Sequence, residues 1–364
     1  MTMRWPWIRQ GSNEQLVVSW SRQTLVYVLA RSGAGGVHQV LKFGVERQGA
    51  DSMEDFVRRL HALGLKGYEA RVMLRPEQYQ WLQIDAPAVA PDELRSAARY
   101  QIREMLESHV DDVTLDVMRV GDGQQKGTGH LFVVAATNAV LRGVLDLGDA
   151  MNWTVSVIDV QETAQRNLQS ALATRDGGAD RANAALVLVD GQQAVLTIAA
   201  NDELFYTRRF ELPEGFLAAS WGHGDDAAAA AANAFTPVDE YVPDYSVGGV
   251  SYGNDYTGTS AAQPASPAGG SMDDDKAQRL LVEVQRSLDV WDRSWSSMPL
   301  NGMRVYAGER SEELSKWLGT QLGQTVAPLD VNALFPGFEG GAVADQAQCL
   351  PLLGVLMRTE SRKL

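Results

Sequence analysis

Ala184 to Glu211 reads AALVLVDGQQAVLTIAANDELFYTRRFE, and on this stretch the fold turns. Three apolar runs of strand length alternate with two polar breaks, which predicts a three-stranded meander. The first break, Asp190-Gly191-Gln192-Gln193, is short. Asp-Gly is a strong hairpin signal, because glycine accepts the left-handed backbone that a tight turn requires.

A second meander stands near the start of the chain: Glu14 to Trp20, Thr24 to Arg31 and Val37 to Val45, joined by short polar or Gly-rich turns. Both meanders are followed by the same series of elements. In the first half, Ser52 and Asp55 form a capping-box arrangement ahead of the apolar stripe Phe56, Leu60 and Leu63, and Gly64 stops that helix. A strand from Tyr68 to Leu74, a helix from Asn138 to Met151, a strand from Thr154 to Ile158 and a helix capped by Asp159, with Glu162 in the capping-box position, complete it. In the second half, a helix from about Asp274 to Trp295 carries Leu281, Val284, Leu288, Trp291 and Trp295 on one face. Strand Met303 to Ala307, helix Ser311 to Leu322, strand Thr325 to Leu329 and a helix near Gln346 to Met357 follow. Two copies of βββαβαβα give an α/β chain with the layout of the actin and hexokinase-like fold.

The expected domains are a first half at 13–74 and 138–175 and a second half at 184–221 and 272–364. A small α+β subdomain at 75–137 interrupts the first half, with strands Gln80 to Asp85, Val113 to Val120 and Leu131 to Ala136. Its helix follows Pro91, a residue suited to a first helical position, and turns Leu94, Ala98, Ile102 and Met105 or Leu106 inward. Arg95, Arg99 and Arg103 recur every four residues on the opposite face. That stripe reads either as a solvated face or as a surface for acidic lipid headgroups or an acidic partner.

The net charge of −14 excludes nucleic acid as a partner, since phosphate neutralisation needs a basic face. Ten of the acids lie between Leu212 and Asp275, where there is no Lys or Arg. Within that stretch, 222–271 combines an alanine run with Gly, Pro, Ser, Asp and the tyrosines Tyr241, Tyr245, Tyr252 and Tyr256, a composition that predicts a disordered acidic insertion. The single cysteine, Cys349, sits in an apolar run and reads as a buried core residue, with no internal disulfide. The longest apolar stretches fall short of the ~18 residues that cross a bilayer, so the expected location is cytoplasmic. Residues 1–12 read as a flexible leader, in which Met3, Trp5, Trp7 and Ile8 with Arg4 and Arg9 form at most a short interfacial anchor. Gly33-Ala34-Gly35-Gly36 lacks the Lys and the Ser or Thr of a P-loop, and the five histidines show no metal-ligand spacing. No catalytic or metal-ligating residue is assigned.

The run Ala86 to Leu94, the helix after it and Val110 to Val117 resemble the inserted subdomain of the PilM family of type IV pilus assembly proteins. Val133 to Gln169, Val282 to Trp295 and Leu350 to Arg358 are most similar to its MshI branch, which serves the mannose-sensitive haemagglutinin (MSHA) pilus. The resemblance implies an actin-like protein at the cytoplasmic face of the inner membrane, peripheral to it through a partner. It grips the N-terminal tail of a PilN-like or MshJ-like membrane protein, in a groove between the first-half core and the inserted subdomain. A related alternative, the cytoplasmic domain of type II secretion systems, is set aside on the expectation that no membrane span follows Leu364.

Actin-type ATPases hold phosphates in two β-turns, each an Asp followed by Gly and small hydroxyl residues, and the Asp organises Mg2+ through water. The resemblance maps the first turn onto Ser19 to Thr24, with Ser19 where the Asp belongs and Ser21 where the Gly belongs. The second turn keeps Asp190 and Gly191 but is two residues short of the family pattern. The adenosine motif, normally Gly-Gly, retains only Gly308, followed by Glu309. Ser21, Arg22, Thr24, Asp190, Gly191 and Gly308 are therefore the remnant ATP site, and the expected cofactor is none, with ATP and Mg2+ bound weakly or not at all. The alternative is an active ATPase whose nucleotide state gates partner docking.

Overall fold

A computed structural model describes residues 13–120, 129–188, 191–221 and 272–358. The leader with its anchor residues, the insertion with its tyrosines, and Asp190 lie outside the described residues.

Strands β1 (Glu14–Ser21), β2 (Thr24–Ser32) and β3 (His38–Arg47) form the first antiparallel meander. Helix α1 (Met53–Ala62) begins at Ser52, whose hydroxyl accepts from the Asp55 amide at 3.1 Å. Strand β4 (Glu69–Leu74) then pairs parallel with β1. The inserted subdomain follows, with β5 (Tyr79–Asp85), α2 (Leu94–Gln101), β6 (Val113–Val120) and β7 (His130–Thr137). Its sheet has the order β5-β7-β6, and Ile84, Leu94, Ala98, Ile102, Leu115, Leu131 and Val133 form its own core. The chain returns through α3 (Asn138–Ala150), β8 (Thr154–Val160) and α4 (Gln161–Arg175), giving a sheet of order β3-β2-β1-β4-β8.

The second half repeats that order. Strands β9 (Ala182–Leu188), β10 (Gln193–Ala200) and β11 (Glu203–Glu211) form the meander, and α5 (Met272–Ser294), β12 (Leu300–Tyr306), α6 (Ser311–Leu322), β13 (Val326–Pro328) and α7 (Val343–Leu356) complete it. The sheet runs β11-β10-β9-β12-β13, with β12 parallel to both β9 and β13.

The central strands are apolar on successive residues, Leu16 to Val18 and Leu25 to Ala30 for example, because both faces of the sheet are covered. On one face, Leu16, Val18, Leu25 and Tyr27 pack with Phe56, Leu60, Val144 and Leu147 of α1 and α3. On the other, Val17, Val26, Val28 and Ala30 pack with Cys349, Leu350 and Leu353 of α7. Helix α7 thus belongs to the second half in sequence and packs on the first-half strands β1, β2 and β3. Helix α4 does the reverse, packing on β9, β10 and β11. The two helices lie against each other so closely that a Cβ on Gly354 would stand 1.8 Å from the Ala164 carbonyl oxygen.

Three local expectations change. Helix α2 starts at Leu94, with 91–93 in a turn, and it is Leu106 that packs inward while Met105 is exposed. The first residue before α4 is Val160, with no side-chain cap, because Asp159 instead accepts from Thr163 Oγ1 and pairs with Arg358 at 2.9 Å. Glu162, expected in the capping box, is drawn into a buried ion pair described below. Among the described residues no helix is long and apolar enough to cross a membrane.

Candidate functional site

Where the two halves face each other, a cleft of about 180 Å3 is lined by residues from both meanders. Ser21, Arg22 and Thr24 come from the β1–β2 hairpin, and Gln192 and Gln193 from the β9–β10 hairpin. Arg47 ends β3, Arg75, Pro76 and Glu77 follow β4, Gln161 opens α4, and Gln348 comes from α7. The duplicated topology places both hairpin turns at one end of the paired sheets, and for that reason residues so distant in sequence meet.

The first hairpin has a two-residue turn. Ser21 pairs with Thr24, and Arg22 and Gln23 between them adopt φ of 48° and 59°. Two left-handed residues make a type I′ turn, the shortest that matches strand twist. Ser21 Oγ donates to Glu77 Oε1 at 2.6 Å, and Arg22 Nε lies 3.7 Å from the same oxygen. Ser19 is buried and its hydroxyl accepts from Arg75 Nε at 3.1 Å, while Arg75 Nη2 donates to the Gln348 carbonyl at 3.2 Å.

The remaining assigned residues are dispersed. In the second hairpin, Gly191 has φ 74° and borders a separate hollow with Glu211, Leu212 and Leu217. Gly308 has φ 61° and stands at the turn before α6, where Ser311 Oγ donates to its carbonyl at 2.7 Å; it lines neither space. Arg310, two residues on, is tied to the Leu217 and Ala219 carbonyls at 2.6 and 2.7 Å and stacks over the Trp221 ring at 3.7 Å. The arginine stripe is partly consumed within its own subdomain. Arg95 pairs with Asp116 at 2.8 Å, and Arg99 donates to the Val110 and Val113 carbonyls. Arg103 lies beyond the end of α2 and is exposed.

Beside the cleft is a buried charged cluster that the sequence did not announce. Glu162 in the first turn of α4 is 1% exposed and accepts from Tyr79 Oη and from Arg209 Nε, the latter at 2.7 Å. Arg209 also donates to the Pro76 carbonyl at 3.0 Å and lies over the Tyr79 ring at 4.5 Å. Burial, then the Glu162 carboxylate, holds the Tyr79 phenol well above its ordinary range. Burial works against the Arg209 charge, but Tyr79 and Glu162 outweigh it and raise its pKa. One helix, the inserted subdomain and the second half are thereby fastened at a single point.

The described residues of the first turn are already engaged within the chain. The position assigned to the metal-organising carboxylate holds a serine that accepts from a guanidinium. A carboxylate occupies the hydroxyl and guanidinium of the first turn. The cleft volume is below the ~300–1,000 Å3 typical of small-molecule sites. Among the described residues no group of three or more His, Cys, Asp or Glu side chains is placed to hold a metal ion.

No protein-family model matches the chain, and no curated protein matches it in sequence. Solved structures do. The chain is similar to a PilM-PilN type IV pilus biogenesis complex, with 16% identity over 96% of this chain and 100% of that one and a TM-score of 0.62. It also matches a Bacteroides thetaiotaomicron protein with an actin-like ATPase fold, at 8% identity over 92% and 95% of the two chains and a TM-score of 0.45. A third match is MreB 5 of Spiroplasma citri bound to AMPPNP, at 8% identity over 95% of each chain and a TM-score of 0.37. The fold is actin-like. At these identities the comparison speaks to architecture, and the duplicated sheet order with its inserted subdomain is the same statement made from the strands.

Proposed function

We propose that this actin-fold chain is a scaffold of the type IV pilus assembly machinery, of the MSHA type, that holds the cytoplasmic N-terminal tail of a PilN-like or MshJ-like inner-membrane protein. It sits at the cytoplasmic face of the membrane through that partner and does not depend on bound nucleotide. The observation that carries this reading is the match to a PilM-PilN complex over 96% of this chain and the whole length of that one.

The physical support for nucleotide independence is how the inserted subdomain is fixed. Gln78 Nε2 donates to the Trp20 carbonyl at 2.8 Å, Thr114 Oγ1 donates to Asn138 Oδ1 at 2.8 Å, and the Glu162 cluster ties β5 to both halves. A groove bounded by elements already locked together binds an extended segment without first spending interaction energy on ordering its walls. Synthetic N-terminal tails of bitopic inner-membrane proteins, titrated calorimetrically against the full chain, test this. The expected result is a tail that binds with the same affinity with and without Mg-ATP. Failure of every tail removes the scaffold reading, and a strict requirement for Mg-ATP transfers it to the gated ATPase.

A further inference from the structure

The edge strand of a sheet offers unpaired amides and carbonyls to any other strand, and the two five-stranded sheets have four such edges. Three are closed or defended. The His38 and Val40 amides of β3 donate to the Leu334 and Pro336 carbonyls at 2.8 and 2.9 Å, β11 carries Arg208 and Arg209, and β13 is three residues long and ends in Pro328. Strand β8 differs. It pairs with β4, no strand among the described residues lies on its other side, and its stretch Thr154 to Ile158, TVSVI, is uncharged, rich in β-branched residues and at least partly exposed throughout.

This edge suits a copy of itself. Ser156, which the ladder to β4 skips, is the centre of the stretch, and about it Val155 mirrors Val157 and Thr154 mirrors Ile158, as an antiparallel pair with two-fold symmetry requires. Helix α3 has a matching arrangement. The short turn from Met151 to Trp153 folds α3 back along β8, and a Cβ on Gly148 would stand 3.1 Å from Val155 Cγ2. A helix rises about 1.5 Å per residue and a strand about 3.3 Å, so an axis at Ser156 passes α3 near Asp146. Arg142, Leu145 and Asp149 form one line along the helix, all exposed, and neither charge is ion-paired within its own chain among the described residues.

We propose that β8 is an interface between two copies of this chain, paired antiparallel about a two-fold axis at Ser156, so that the first-half sheets of the two copies become one continuous sheet. The axis brings Arg142 of each copy level with Asp149 of the other, an attraction made twice, and sets Leu145, 44% exposed in the single chain, against its own copy. The pairing stands apart from the scaffold reading, since it uses neither the cleft nor the inserted subdomain.

Sedimentation velocity of the full chain over a range of concentrations decides it, and the expected result is a monomer–dimer equilibrium. R142D and D149R each turn two attractions into two repulsions and should weaken the dimer roughly tenfold, while the two together should restore it. Both positions are exposed, so circular dichroism should not change. L145C should crosslink to its copy through a short bismaleimide, whereas G143C, on another side of α3, should not, and the buried Cys349 gives no background. A monomer at every concentration overturns the proposal. A dimer that survives the single reversals, or that the double reversal fails to restore, overturns it too, because the copies would then meet elsewhere. Hydrogen-exchange protection of the β8 amides that does not rise with concentration has the same force, since the edge would then be covered within one chain or left open.

Discussion

Gly354 offers the sharpest test of the architecture. In an isolated helix, Gly→Ala stabilises by about 1 kcal/mol, because alanine loses less backbone freedom. Helix α7 inverts that sign. A Cβ at Gly354 would lie 1.8 Å from the Ala164 oxygen and 2.4 Å from its carbonyl carbon, both backbone atoms of α4 that no rotamer change can move. Reaching ordinary contact, which starts at 3.4 Å, requires the helices to part by about 1.6 Å. A gap of that size strips much of the dispersion energy from Leu168, Leu172, Leu350 and Leu353 at the same seam, and overpacking of this kind costs about 3 kcal/mol. Net of the helix gain, G354A should destabilise by about 2 kcal/mol, a fall in Tm of about 4 °C for a chain of this size. The matched control is G143A on α3, where a Cβ meets nothing within 4 Å and the same substitution should stabilise by about 0.5–1 kcal/mol. Thermal unfolding followed by circular dichroism reads both. Equal shifts of the same sign in the two variants would refute the close crossing of α4 and α7.

Three other outcomes are expected. Glu162→Gln leaves the half-buried Arg209 without its partner charge and should cost about 3 kcal/mol in urea unfolding, with a double-mutant cycle against Tyr79→Phe showing coupling; a loss under ~1 kcal/mol would count against the cluster as a fastening point. Replacing Arg22-Gln23 by Asn-Gly, residues that accept positive φ, should stabilise the β1–β2 hairpin by about 1 kcal/mol in the same assay, and a loss of stability would contradict the type I′ turn. Burial raises the Cys349 thiol from 9.0 to about 12 and the Tyr27 and Tyr306 phenols from 10.0 to about 12. Since the folded state holds these protons more tightly, their contribution is whole below about pH 9 and is lost as pH climbs toward 12; urea midpoints should fall across that window, less steeply in Cys349→Ala, and a flat profile would be inconsistent with it.

The elements were legible wherever periodicity and capping carry local information. Both meanders, the Ser52 cap, the Ser311 start and the buried face of α5 from Leu281 to Trp291 follow from spacing alone. What misled was chemistry that a distant residue claims. Asp159 and Glu162 have the spacing of a cap, but Arg358 and Arg209, remote in sequence, take their carboxylates. The stripe of Arg95, Arg99 and Arg103 has helical period, yet α2 stops at Gln101 and β6 supplies Asp116 and the Val113 carbonyl to the first two. In the cleft, Ser21, Arg22 and Thr24 could be found because a turn between two strands is visible in one segment. Arg75, Glu77 and Gln348 could not, since their meeting depends on where β4 and α7 end in space. The one available hint was Arg75-Pro76 directly after an apolar strand, at the position where parallel sheets tend to place binding residues.

The exchange of helices between halves has a consequence during synthesis. The face of β1, β2 and β3 that holds Val17, Val28 and Ala30 stays bare until α7 arrives, about 170 residues after α4 is made. At ~5–20 residues per second a ribosome needs roughly ten to thirty seconds for that distance, during which a half-finished product carries an open apolar sheet. Such an intermediate is a natural client for a chaperone, and an abrupt stop anywhere between the two sheets leaves a fragment prone to clump instead of a smaller working domain.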